Sequence, residues 1–206
     1  MRRNRTPFKT PSRDQSEYTV EKATQNDVDG IMAVAIAAGK AHKDSEAGFL
    51  MDDYEADAAE HTEEFKRAAS RSRFFYVIKN REGKVLGFLL AYRKERWLRR
   101  EPGWMDTVHW RPDFDQSNLE DFVLLEKIAV DAELRGTGLG SVMFSKFRDD
   151  ANEAGIYDMF SETIIGPRPN FAALAFAIKQ KYALAGIRYE EHQGRTITDV
   201  VYHRKL

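Results

Sequence analysis

LEKIAVDAELRGTGLGSVMF, residues 125–144, is the stretch on which the reading of the whole chain turns. Its first residues close an apolar run, DFVLLEKIAV (121–130), interrupted only by Glu126 and Lys127, and this predicts a central strand. Its last residues open SVMFSKFRDDANEAG (141–155), a predicted helix with Val142, Met143, Phe144 and Phe147 at its apolar positions. Between them lie Arg135, Gly136, Thr137, Gly138, Leu139, Gly140 and Ser141. Three alternating glycines remove side chains where a ligand or a neighbouring backbone comes close. A helix starting there points unpaired amides and the positive end of its dipole at the gap, which suits phosphate or pyrophosphate without a lysine. Arg135 on the rim adds a charge-assisted contact to the same anion. The plain alternative is a glycine-rich turn that serves only tight strand-to-helix packing.

Other phosphate motifs fit less well. The P-loop pattern GxxxxGK[ST] is absent. The dinucleotide pattern GxGxxG is missed by one step, and it belongs on a first strand rather than two-thirds along a chain. Outward from the motif, YTVEKA (18–23) predicts a strand, and Thr24 with Asp27 a helix start leading into VDGIMAVAIAAG (28–39). Residues 40–53 read as a loop holding Phe49, Leu50 and Met51, and 54–71 as a more polar helix. FFYVIKN, a turn at 81–83 and KVLGFLLAY form a predicted hairpin. Residues 93–121 have no clean period and carry Trp97, Trp104 and Trp110, either as a small core of their own or as a substrate mouth or dimer interface. After the motif come a strand at MFSETII (159–165), a helix at FAALAFAIKQKYALAG (171–186) and strands at IRYEEH and TITDVVYHRKL. The class is α/β, a mixed sheet with helices on its faces.

Composition bounds the rest. The 206 residues suggest one domain, 18–206, behind a solvated basic tail at 1–17. Without cysteine there is no disulfide, thiolate metal site or protein thioester. A net charge of -1 gives no general attraction to nucleic acid or anionic lipid, although the basic tail and Arg93–Arg100 keep RNA binding as a third hypothesis. No window approaches ~20 uninterrupted apolar residues, so no membrane span is expected, and the location expected is cytoplasmic. His42, His61, His109, His192 and His203 show no metal-ligand spacing, so no metal is expected.

The motif with its preceding strand and the later Asn-led helix resembles the GCN5-related N-acetyltransferase (GNAT) superfamily, whose coenzyme A motif is Arg/Gln-x-x-Gly-x-Gly/Ala. Arg135, Gly138 and Gly140 occupy those places. The resemblance spans about 18–206 and is strongest over 122–182. It implies a sheet splayed between its fourth and fifth strands, with acetyl-CoA in the splay as co-substrate. The backbone of Ile128, Ala129 and Val130 would bind the pantetheine arm, the amides of Arg135 to Ser141 the pyrophosphate, and Asn170 the pantetheine or the splay itself. Asn170 also reads simply as a helix N-cap.

The same resemblance makes Glu126 the candidate catalytic base; an ion pair with a Lys or Arg is the alternative, since a carboxylate inside an apolar strand is costly unless paired or wet. The family's usual acid, a Tyr seven residues after the Asn, is here Ala177. Tyr182 replaces it only if the helix carries a five-residue insertion; otherwise Lys181-Tyr182 stands at the family's Gly-Phe pair and Tyr182 is a core aromatic. The activity implied is direct acetyl transfer to a primary amine of a small molecule or a protein N-terminus. The missing tyrosine leaves a second possibility, a non-catalytic acyl-CoA sensor or structural module.

Overall fold

The computed structural model describes residues 17–39 and 43–206. The basic tail, apart from Glu17, and His42 lie outside the described residues. The elements are β1 (Tyr18–Lys22), α1 (Val28–Gly39), α2 (Ala58–Arg71), β2 (Phe74–Asn80), β3 (Val85–Arg93), α3 (Lys94–Arg100), α4 (Trp104–Thr107), β4 (Val108–Trp110), β5 (Phe122–Val130), α5 (Leu139–Glu153), β6 (Asp158–Gly166), α6 (Phe171–Lys179), β7 (Ala183–His192) and β8 (Arg195–Lys205).

They build one eight-stranded sheet in the order β1-β2-β3-β5-β6-β8-β7-β4. β5 and β6 are parallel and every other pair is antiparallel. The parallel pair needs a crossover, and α5 supplies it. Alternation along the strands sends two sets of side chains to opposite faces. Phe75, Phe88, Phe122 and Phe160 meet α1, α2 and the 94–114 segment on one face. Phe74, Tyr76 and Leu125 meet Met143, Phe144 and Phe147 of α5 on the other. Thr24 starts α1 as its sequence predicts: its amide and hydroxyl both donate to Asp27, each at 2.8 Å.

Three sequence expectations shift. Residues 54–57 precede α2 rather than opening it, because Tyr54 is buried against His61 and Phe65 in a turn of its own. The long helix expected over 171–186 stops at Lys179. Lys181 takes a left-handed φ of 59°, and Ala183–Gly186 extend to pair with β8, so strand pairing overrides the helix preference of Ala and Leu there. The irregular stretch 93–121 carries two short helices and adds β4 to the sheet edge, against β7.

The tryptophans of that stretch form a core inside the chain. Trp104 is fully buried and packs on Trp97, Trp110, Phe122 and Phe160 at 5.5–6.3 Å between centroids. Trp97 and Trp104 are buried in this core, Trp97 also lining the cleft described below, and Trp110 is half-buried. Trp104→Ala should lower unfolding free energy by about 3–5 kcal/mol in urea titrations, the usual cost of emptying a large aromatic site; a loss below about 1 kcal/mol would contradict this packing.

Candidate active site

The site begins where two strands part. β5 and β6 pair only over Phe122–Leu125 and Asp158–Ser161. Beyond that, β5 continues along β3 to Val130 while β6 continues along β8 to Gly166, and a wedge opens between them. The parting coincides with a β-bulge: Ala91 pairs with Leu125 and Leu90 with Lys127, leaving Glu126 as the extra residue. A bulge bends its strand and re-aims side chains. Here it brings Glu126 and Lys127 together, with Oε1 accepting from Nζ at 2.9 Å. A cleft of about 1360 Å³ follows the wedge, lined by Arg135, Gly138 and Gly140 at one end and by Glu162, Arg188 and Asp199 at the other.

At the first end, Gly136 has φ +74° and Gly138, the N-cap of α5, φ +96°. A Cβ on either would meet nothing within 4 Å, so backbone conformation rather than crowding calls for glycine at both. Among the described residues, the amides of Gly136, Gly138, Leu139 and Gly140 donate to no backbone carbonyl, whereas those of Ser141 and Val142 turn back to the Gly138 carbonyl. These are the orphan donors of a helix start, and they fit a pyrophosphate. Thr137 and Leu139 do not face the cleft: the Thr137 hydroxyl donates to the Leu134 carbonyl and Leu139 is in the core. The Ser141 hydroxyl accepts from Gln180 at 3.0 Å. Ile128, Ala129 and Val130 lie on the β5 edge that β6 has left, and line the cleft as an extended chain would need.

The cleft's rim is tied down by Asn170. Its Oδ1 accepts from the Ala173 amide at 3.1 Å, capping α6, and its Nδ2 donates to the Phe49 carbonyl at 2.9 Å. The amides of Phe171 and Ala172 both donate to Ser45, so the 45–50 loop is held against the start of α6. Asn170 thus orders the rim through groups already engaged within the chain. Ala177 is buried and offers no proton. Tyr182 is packed on Phe144 and Tyr202, its hydroxyl has no partner among the described residues, and burial pushes its pKa well up. Lys181, just before it, holds a left-handed φ of 59°, a conformation that a glycine would adopt easily.

Beyond Glu126 the cleft is charged. Glu126 Oε1 also lies 3.5 Å from Arg100, which pairs with Glu64, and Lys127 lies 3.8 Å from Asp52. Burial alone would lower the Lys127 pKa, but Glu126, Tyr54, Glu64 and Asp52 together hold it up. The ion-pair alternative for Glu126 is therefore present, yet its Oε2 is buried without a partner among the described residues. Sequence reading did not single out Glu162, Arg188 or Asp199. Glu162 is the β6 residue next after the last paired one, as Glu126 is on β5. Its Oε1 accepts from Trp104 Nε1 at 2.9 Å. Burial pushes Glu162 up to about 7 against the pull of Arg188, and burial with Glu162 and Glu190 nearby pushes Asp199 up to about 7. Among the described residues, no group of three or more His, Asp or Glu is placed to hold a metal ion.

The model of the acetyltransferase (GNAT) family matches residues 42–181. Among solved structures, a PaiA N-acetyltransferase from Thermoplasma acidophilum in complex with coenzyme A superposes with a TM-score of 0.61 at 15% identity, over 92% of this chain and 99% of that one. A polyamine N-acetyltransferase of Drosophila melanogaster gives 0.61 at 13% identity, over 92% and 100%. The ribosomal-protein-S18-alanine N-acetyltransferase of Escherichia coli gives 0.55 at 16%, over 91% and 93%. At these identities the likeness is one of fold. No curated protein sequence matches the chain.

Two outcomes follow from this geometry. A Cβ at Gly140 would make only ordinary contacts, 3.6–3.9 Å, with Phe176, Ile128 and Val130. Gly140→Glu should therefore fold yet weaken coenzyme A binding at least about a hundredfold in calorimetry, by setting a carboxylate over the anion-binding amides; unchanged affinity would contradict the assignment. Glu162, at about 7 in the fold, titrates near about 4 when unfolded. Between those values the folded chain holds a proton that the unfolded chain has shed, so this group's contribution to stability falls as pH rises through the window. Glu162→Gln should flatten the decline of melting temperature between about pH 5 and pH 8 relative to the parent chain; parallel curves would count against the shift.

Proposed function

The chain belongs to the acetyltransferase (GNAT) family, and we propose that it transfers an acetyl group from acetyl-CoA directly to a primary amine, either of a small molecule or of a protein N-terminus. One observation carries this reading. The parting of β5 from β6 puts three things on a single cleft: open amides at the start of α5, the vacated β5 edge, and the unpartnered Oε2 of Glu126 at the apex. The solved structures named above include a polyamine N-acetyltransferase and a ribosomal-protein-S18-alanine N-acetyltransferase, which supports an amine acceptor without choosing between small molecule and protein.

In this reading the amides of Gly136, Gly138, Leu139 and Gly140 hold the diphosphate of the donor, and Ile128–Val130 hold its extended arm, so that the thioester reaches the apex. Lys127 and Arg100 engage Oε1 of Glu126, and Oε2 is the oxygen left to accept a proton from the incoming ammonium. The neutral amine then attacks the thioester carbon, its nitrogen sheds the second proton to solvent as the tetrahedral adduct collapses, and the thiolate leaves. Ala177 has no proton to return, so the thiolate takes one from solvent. A thiol titrates near about 8.5, which makes that departure accessible close to neutral pH.

The absent phenol at position 177 is also what favours the second reading, a module that binds acyl-CoA without turnover. Glu126→Gln separates the two. It should reduce amine-dependent release of free thiol about a hundredfold or more while acetyl-CoA affinity stays within about twofold of the parent chain. Tight acetyl-CoA binding with no thiol release from the parent chain, over a broad panel of amines, would establish the module instead.

A further inference from the structure

The far end of the cleft contains a buried negative charge that the transfer chemistry does not use. Arg188 on β7 is surrounded by carboxylates and fully engaged. It lies 2.8 Å from Glu190, 3.5 Å from Glu162 and 3.3 Å from Glu101, and its Nε donates to the Thr107 hydroxyl at 3.2 Å. Asp199 on β8 stands directly opposite Arg188 in the strand register and opposite Ile164 of β6. It receives no hydrogen bond from Arg188 or from any other described residue. It is 4% exposed, its Oδ2 has no partner among the described residues, and it lines the same cleft as Glu126. Four carboxylates thus share one guanidinium among the described residues, and the least exposed of them is left over.

A buried carboxylate without a partner is expensive, and the group that relieves it is a cation bearing hydrogen-bond donors. The amine being acetylated cannot be that cation, because it must sit at the apex beside Glu126. Asp199 is two strands across from β5 and displaced along β6. At about 4.8 Å per strand and 3.3 Å per residue, the two backbones are on the order of 10 Å apart, before the widening of the wedge is added.

We propose that the acceptor is a small molecule with two cationic groups, an α,ω-diamine or longer polyamine, whose remote ammonium is held by Asp199 while its near amine meets Glu126. This rests on the amine-acetylating reading above and narrows it. Glu162 and Glu190 add negative potential around the remote ammonium, and Trp104 and Thr107 of the 94–107 segment fix the orientation of Glu162 and Arg188. The crowding also explains the high proton affinity of Asp199, which an arriving ammonium would reverse.

The test compares turnover of unbranched monoamines and α,ω-diamines of graded length by the full chain with acetyl-CoA. At one length the diamine should exceed the monoamine in kcat/KM by at least about tenfold, chiefly through KM. Asp199→Asn should bring that ratio close to one. Equal turnover of monoamines and diamines at every length overturns the inference while leaving amine acetylation standing. So does a ratio that survives in Asp199→Asn. Because the first comparison uses the parent chain, it decides the matter even if the variant fails to fold. Turnover of no amine at all overturns both the inference and the reading beneath it.

Discussion

β5 and β6 can share hydrogen bonds for four residues and no further, and every functional feature depends on that limit. With Glu126 inserted as a bulge, the strand bends away from β6 at the residue where a carboxylate enters the sheet. Two ladders hold the separated strands apart, β3 against β5 and β8 against β6, each continuing well past the fork. The sheet therefore tolerates an opening in its middle without fraying at its ends. An unpaired strand edge is normally a liability, and here it lies inside a cleft where an extended ligand can complete it.

Around that opening the chain distributes charge in two clusters of different balance. Near the apex, Asp52, Glu64 and Glu126 face Lys127 and Arg100, which is close to neutral. Deeper along β6 and β8, Glu162, Glu190, Asp199 and Glu101 face Arg188 as their one cation among the described residues. The segment 94–107 contributes to both through Arg100, Glu101, Trp104 and Thr107. Its aromatic core anchors it to Phe122 and Phe160, so the same residues that stabilise the segment also bring those groups to the cleft. Packing and site construction are here one event.

The glycine-rich end of the cleft was legible in the sequence because its signals are local. A glycine with positive φ, a helix start and a strand rich in apolar residues each announce themselves within a few positions, and RGTGLGS contains all the turn chemistry it needs. Glu126 was legible for the same reason, as a charge inside an apolar run. Glu162 in MFSETII is a similar interruption, and the parallel with Glu126 was the available signal. It was masked because a half-exposed strand alternates polar residues anyway. Asp199 and Arg188 read as the wet side of such strands, and the partners of Arg188 in the 94–107 segment, Glu101 and Thr107, come from far away in sequence. The end of α6 was misjudged for a related reason. KYALAG has helical preference, but its partner β8 lies more than ten residues downstream and strand pairing prevails.

The central claim, that the wedge between β5 and β6 receives the acyl donor, is tested most directly by titrating coenzyme A into isotopically labelled chain and following backbone amide resonances. The account predicts saturable shifts concentrated at 126–130 and 136–141, with β1, β4 and the outer face of α2 unmoved. Shifts confined to another surface, or none at concentrations where binding is detected calorimetrically, would contradict it.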